Sequence, residues 1–215
     1  MRIALVGGTG PAGVGLAERF AAAGHQVLIG SRTAEKGAKI RDKVLEVVPD
    51  GEVEATSNQT AVSLADVVFI TVPFDAYHMT VAGLSSHLQG KIVVAIANPI
   101  RVADRRATVE ASQAGSLAED VAAMAPGARV VGALHEIRVS NFSDFSHKLD
   151  ADTIVTGDDD EAKRIVMELV EEIPGLRAID GGPLSNSRYV EGFVAVLITI
   201  NFRYKTGSSY RITGV

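Results

Sequence analysis

Gly8, Gly10 and Gly13 stand directly behind the apolar run Ile3-Ala4-Leu5. A strand that breaks into Gly-x-Gly-x-x-Gly and then opens a helix is suited to holding a pyrophosphate. Residues without a Cβ let backbone N–H groups approach the phosphates, and the helix N-terminus adds roughly half a positive charge. Thr9, Pro11 and Ala12 fill the remaining positions of the turn, and a proline at the first helical position gives up no needed N–H. The glycine spacing alone is a weak signal. A strand before it and a helix after it make the segment a dinucleotide site.

The next strand, His25 to Gly30, ends in Ser31-Arg32. An NAD-selective site places an acid near this point to accept bonds from the ribose 2′-OH. No acid stands there. A hydroxyl, a guanidinium and, four residues on, Lys36 converge where a 2′-phosphate would sit, and the planar fork of arginine suits a phosphate. The expected dinucleotide is NADP(H).

These groups need a frame. The 215 residues are 47% hydrophobic and 22% charged, enough for one α/β domain with a small appendage. Strand and helix signals alternate: strands at 25–30, 52–56, 65–72, 91–96, 128–134, 152–156 and 176–179 separate helices at 11–23, 33–48, 75–88, 116–125, 139–147, 158–170 and 184–204. Such alternation predicts a doubly wound parallel sheet of Rossmann type with a small C-terminal α/β extension. The predicted division is 1–135 and 136–215. Asn58 is expected to cap a small helix, and residues 101–115, polar and rich in Ala, Arg and Ser, read as a mobile connection. Absence of cysteine removes disulfides, thiolate nucleophiles and Cys-based metal sites, and a net charge of −5 argues against nucleic acid. The histidines His25, His78, His87, His135 and His147 show no ligand spacing. Asp158-Asp159-Asp160-Glu161 reads as a helix cap rather than a metal cluster, so no metal is expected. No apolar stretch is long enough to span a membrane, and strand residues from Arg2 leave no room for a signal peptide, which predicts a cytoplasmic protein.

The segments Gly7-Gly8-Thr9-Gly10, Ser31-Arg32, Thr71-Val72-Pro73-Phe74, Ala133-Leu134-His135 and Gly182-Pro183-Leu184-Ser185-Asn186-Ser187-Arg188 together resemble the NADPH-dependent reductases of coenzyme F420, a deazaflavin. The last segment is the most specific, because the glycine turn is widely shared. The resemblance implies a second cofactor, F420, and a role for each matching position. Thr9, Ser31, Arg32 and Lys36 would hold the 2′-phosphate and adenosine ribose, and Gly10, Pro11 and Ala12 the pyrophosphate. Thr71, Pro73 and Phe74, with His78 one turn along, would lie beside the nicotinamide, as would Asn98, Pro99 and Ile100. His135 and residues just after it, Val139 among them, would face the deazaflavin, and Gly207, Ser208 and Ser209 would close over it. Three departures stand out: Pro11 for the more usual Asn, Arg138 for an expected proline, and an unusually small tail at 207–209.

The implied reaction is direct hydride transfer, in which the protein supplies orientation and exclusion of water. His135 is the one titratable candidate for catalysis, either donating to the polar edge of the deazaflavin or serving as a strand-end histidine with satisfied bonds. Arg188 and Arg203 are open between the anionic tail of a cofactor and a subunit contact. The helix from Tyr189 to Phe202 is apolar almost all round, which predicts a homodimer through it. Two other functions fit the same residues: a reductase of a flavin or other acceptor, and a protein that senses NADP(H) without turnover.

Overall fold

The computed structural model describes residues 1–215 apart from Ser143, His147 and the side chain of Val139. The first half runs β1 (Arg2–Val6), α1 (Pro11–Ala22), β2 (Gln26–Ser31), α2 (Ala34–Val47), β3 (Val53–Ser57), α3 (Asn58–Leu64), β4 (Val67–Ile70), α4 (Phe74–Leu84) and β5 (Ile92–Ala95). A hairpin, β6 (Ile100–Ala103) and β7 (Arg106–Val109), interrupts the alternation before α5 (Leu117–Met124) and β8 (Arg129–Gly132). The remainder is α6 (Val139–Phe142), β9 (Ala151–Gly157), α7 (Asp160–Glu171), β10 (Leu176–Asp180) and α8 (Ser187–Tyr204).

Eight strands form one sheet in the order β10-β9-β8-β5-β4-β1-β2-β3. The central strands β1, β4 and β5 are buried on both faces, which is why they read as continuous apolar runs, while the edge strands β3 and β10 are partly exposed. Alternate residues of β1 serve opposite layers: Ile3 and Leu5 pack with Leu16 and Phe20 of α1, while Ala4 and Val6 pack with Tyr77 and Val81 of α4. Chain order reverses between β1, which leads to β2, and β4, its other neighbour. A ligand crevice is expected at that switch point, outside the carboxyl ends of the strands.

Four expectations change. The connection at 101–115 contains the β6–β7 hairpin, paired Ile100 to Val109 through Ala103 to Arg106. The sheet is mostly parallel, but β8 and β9 pair antiparallel. A parallel return needs a crossover of a dozen or more residues, usually helical; here the connection's helix is the four residues of α6, packed on α1. The helix expected over 139–147 is thus reduced to α6, and His147 lies outside the described residues. The cap of α3 is Ser57, whose hydroxyl accepts the Thr60 N–H, and Asn58 is freed for another use. Residues 136–215 add β9, β10 and α8 to the same body, with β9 and β10 extending the sheet.

The acidic run caps a helix: the Asp159 carboxylate accepts the Ala162 N–H and pairs with Arg129. Among the described residues no cluster of His, Cys, Asp and Glu could hold a metal, and no helix is long and apolar enough to cross a membrane.

Candidate cofactor cleft

A cleft of about 860 Å³ opens at the carboxyl ends of β1, β2, β4 and β5. At one end lie Thr9, Gly10, Pro11 and Ala12, with Ser31, Arg32 and Lys36 beside them. Thr71, Pro73, Phe74, Asn98 and Ile100 line its middle, and His135 its far end. These residues, far apart in sequence, are brought together.

The glycine turn is built by close approach. Gly7 has φ of +71°, and a Cβ there would sit 2.3 Å from Val72 Cγ1. A Cβ on Gly13 would sit 2.5 Å from the Gly8 backbone, so α1 can lie against the turn only without one. Gly8 and Gly13 therefore act beneath the cleft rather than in its wall. Asn58, which sequence reasoning placed as a cap, accepts the Gly7 N–H at 3.1 Å and lines the cleft.

The helix starts around the cleft differ in their caps. The helices α3, α5 and α7 are each capped by their own side chains, Ser57, Ser116 and Asp159. The helix α8, which starts away from the cleft, has no side-chain cap, and neither have α1, α2 and α4, whose first residues border it. Their free N–H groups and positive dipole ends are left for an anion. Arg32 and Lys36 are exposed there and make no ion pair among the described residues. Cations beside a helix N-terminus repel its dipole, so both await negative charge.

The far end is drier and carries unspent polar groups. His135 is 2% exposed, and its ring lies against the Ala97 backbone with neither nitrogen in a well-formed hydrogen bond among the described residues. Burial lowers its pKa to about 4, so the ring is neutral at pH 7 and offers one N–H donor and one acceptor. Asn98 donates to the His135 carbonyl at 2.8 Å, while its own buried Oδ1 has no partner. Leu134, immediately before His135, has φ of +61°, a conformation that costs a leucine on the order of 1–2 kcal/mol. Its N–H is held by Thr153 Oγ1 at 2.9 Å, and this fixed bend aims the histidine. The adjacent Glu136 is buried with Oε1 unpartnered, and desolvation pushes its carboxyl up to about 7.

Apolar walls come from Leu134 and Ile137, on either side of His135, and from Phe142, Val194 and Ile198, which sequence reasoning missed. The last two are four apart on α8, one face of a helix, and that spacing was the available signal. Phe142 had no local signal. It is placed by Arg19 of α1, which is buried and donates to the carbonyls of Asn141, Phe142 and Asp144.

Several expected residues lie elsewhere. His78 turns from the cleft and bonds Asp120 at 2.7 Å, its ring packed edge-on against Phe74. Pro99 lies at the hairpin base, where its carbonyl accepts the Glu110 N–H. Ser208 is bonded to Asn201 of α8, Ser209 donates to the Asp150 carbonyl, and Gly207 lies beside Arg138, none of them lining the cleft. The side chain of Val139, at the start of α6, is outside what the structure describes. Arg188 pairs with Glu119, and Arg203 borders a different cavity.

Comparisons with known proteins give the family. Residues 2–99 match the family described as NADP oxidoreductase coenzyme F420-dependent. The F420-dependent NADP reductase of Methanothermobacter thermautotrophicus is 38% identical over 222 residues, covering 100% of this chain and 96% of that protein. The F420-dependent NADP reductase of Methanocaldococcus jannaschii is 36% identical, covering 100% and 99%. A crystal structure from Arthrobacter sp. FB24, proposed to be an F420-dependent NADP reductase, superposes with a TM-score of 0.83 at 26% identity over all of both chains. This chain belongs to the family of F420-dependent NADP reductases.

Proposed function

We propose that the protein transfers a hydride between NADP(H) and coenzyme F420. The observation that carries this reading is a single cleft with two unlike ends, one of uncapped helix starts and unpaired cations, the other apolar with unspent neutral donors and acceptors. The first end suits the phosphates of NADP(H). The second suits a flat heterocycle with a polar edge. When bound, the nicotinamide and the deazaflavin supply the hydride chemistry themselves.

The chain's own residues bind, orient and exclude water. Arg32, Lys36 and Ser31 would hold the 2′-phosphate, and the turn Thr9–Ala12 with the start of α1 the pyrophosphate. Thr71 keeps its hydroxyl on the Val6 carbonyl at 2.7 Å, so it contributes a fixed wall rather than a donor. Asn98 and His135 would form the wall beside a polar ring edge, with Asn98 Oδ1 and the ring nitrogens of His135 buried just behind that wall. Leu134, Ile137, Phe142, Val194 and Ile198 keep the reacting faces dry.

Absorbance tests this against its rivals. Mixing the protein with NADPH and oxidised deazaflavin is expected to bleach the deazaflavin band. Bleaching of a flavin but not the deazaflavin would move the acceptor to flavins, and no bleaching with either would favour an NADP(H) sensor.

We further propose a homodimer through α8. Tyr189, Phe193, Val196 and Tyr204 are 71%, 45%, 48% and 76% exposed, and their spacing sets them on one stripe of the helix. Sedimentation at micromolar concentration is expected to give twice the chain mass; a monomer would overturn this.

A further inference from the structure

The hairpin tip carries a feature that the hydride-transfer reading leaves unused. β6 and β7 are joined by Asp104 and Arg105, with φ of 48° and 59°, two consecutive non-glycine residues in the left-handed region. A two-residue hairpin turn of this hand favours Asn-Gly or Asp-Gly. Strain of this kind persists where the surroundings over-determine it, and it clusters at functional sites. Here Arg105 donates to the Phe202 carbonyl at 2.9 Å and lies 6.0 Å from the Phe202 ring centroid. The tip is thereby fastened to the last turn of α8.

Between tip and helix lies a second cavity, bordered by Arg105, Arg106, Arg203, Phe202 and Asp104. Three guanidinium groups share it with one carboxylate, in a chain of net charge −5. Arg106 and Arg203 make no ion pair among the described residues. A helix C-terminus attracts cations, which accounts for Arg105 on the Phe202 carbonyl and for Arg203 in the last turn. It does not account for Arg106, brought in from β7. Position is the second observation. The hairpin residues Ile100 and Val102 and the α8 residues Val194 and Ile198 line the main cleft. The arginine cavity adjoins the same two elements: Ala107, which borders it, pairs with Val102, and Arg106 pairs with Ala103 one residue nearer the tip.

We propose that this cavity is a subsite for the anionic tail of the hydride acceptor, an inference that rests on the NADP(H)–F420 reading of the cleft. Coenzyme F420 carries a phosphodiester and glutamate carboxylates on the chain leaving its ring system. Both are groups that a guanidinium fork binds with paired donors. Arg105 holds the hairpin tip in place, and Arg106 and Arg203 meet the tail.

The test compares kcat/KM for F420 with kcat/KM for the same deazaflavin cut back to its ribityl alcohol. Wild-type protein at low ionic strength is expected to prefer the tailed acceptor by about tenfold, equivalent to about 1.4 kcal/mol. The double variant R106Q/R203Q is expected to lose that preference, with its KM for NADPH read in parallel as a check on folding. Raising salt on the wild-type protein, which needs no variant, is expected to erase the same preference by screening. A preference that survives both the substitutions and the salt overturns the proposal. Equal turnover of the two acceptors by the wild type removes the subsite but leaves the acceptor assignment intact. Turnover of neither removes both.

Discussion

Arg32→Ala is expected to raise KM for NADPH by about 100-fold while changing KM for NADH by no more than about twofold. The size follows from a charge-assisted, two-pronged bond to a phosphate, for which about 1.5–3 kcal/mol is usual. Arg32 sits at the carboxyl end of β2 on the cleft wall, exposed and without an ion pair among the described residues. Its removal therefore leaves no partner stranded, and stability is expected to stay within about 0.5 kcal/mol. The uncapped start of α2 and Lys36 remain, so adenosine binding as such is retained. NADH lacks the phosphate that the guanidinium would meet, which is why its KM is the internal control. Arg32→Lys keeps the charge but not the fork, and is expected to recover part of the loss. Equal losses for both nucleotides would remove Arg32 from 2′-phosphate recognition.

The glycine-turn end of the cleft was legible because its residues are local in sequence. A strand, a glycine turn and a helix start are contiguous from Ile3 to Gly13, and Ser31-Arg32 ends the very next strand. The continuous apolar runs of β1, β4 and β5 also announced a sheet buried on both faces. The His135 end was less legible because its walls are assembled from afar. Phe142 reaches the cleft through Arg19, more than a hundred residues earlier, and Leu134 through a left-handed bend that no residue type announces.

Three misreadings have specific physical causes. Asn58 reads as a cap because Asn favours that position, but Ser57 fills it and the Asn58 amide is drawn to the Gly7 N–H. His78 was carried over by resemblance, whereas a buried Asp120 on α5 holds its ring. The β6–β7 hairpin was invisible because its turn lacks the glycine or asparagine that marks such turns. What hid the hairpin is the same strain that carries Arg105 to α8.

Asp152→Ala is expected to destabilise the fold by about 3 kcal/mol, through loss of several charge-assisted hydrogen bonds to a buried carboxylate. Its side chain is fully buried in β9. One oxygen accepts from Arg177 at 2.9 Å and Arg211 at 2.7 Å, and the other from Arg177 at 2.6 Å and the Ile212 N–H at 2.5 Å. It thus ties β10 and the C-terminal segment to β9, and the same segment brings Tyr210 to Glu136 and against Phe193. Arg177 and Arg211 are 37% and 42% exposed and can return to water, which keeps the cost below that of stranding a fully buried charge. For a chain of this size the loss corresponds to a fall in Tm of about 6–12 °C. The arginine pair holds the carboxyl well below the usual carboxylate range, with desolvation opposing it. A depressed pKa contributes stability that is complete above the unfolded value near 4 and is lost as pH falls through the folded value. The stability gap between wild type and Asp152→Asn is therefore expected to be constant from about pH 7 to pH 5 and to narrow below about pH 4. A gap that widened on acidification, or a Tm for Asp152→Ala within a degree of wild type, would mean that the C-terminal segment is held by something other than this carboxylate.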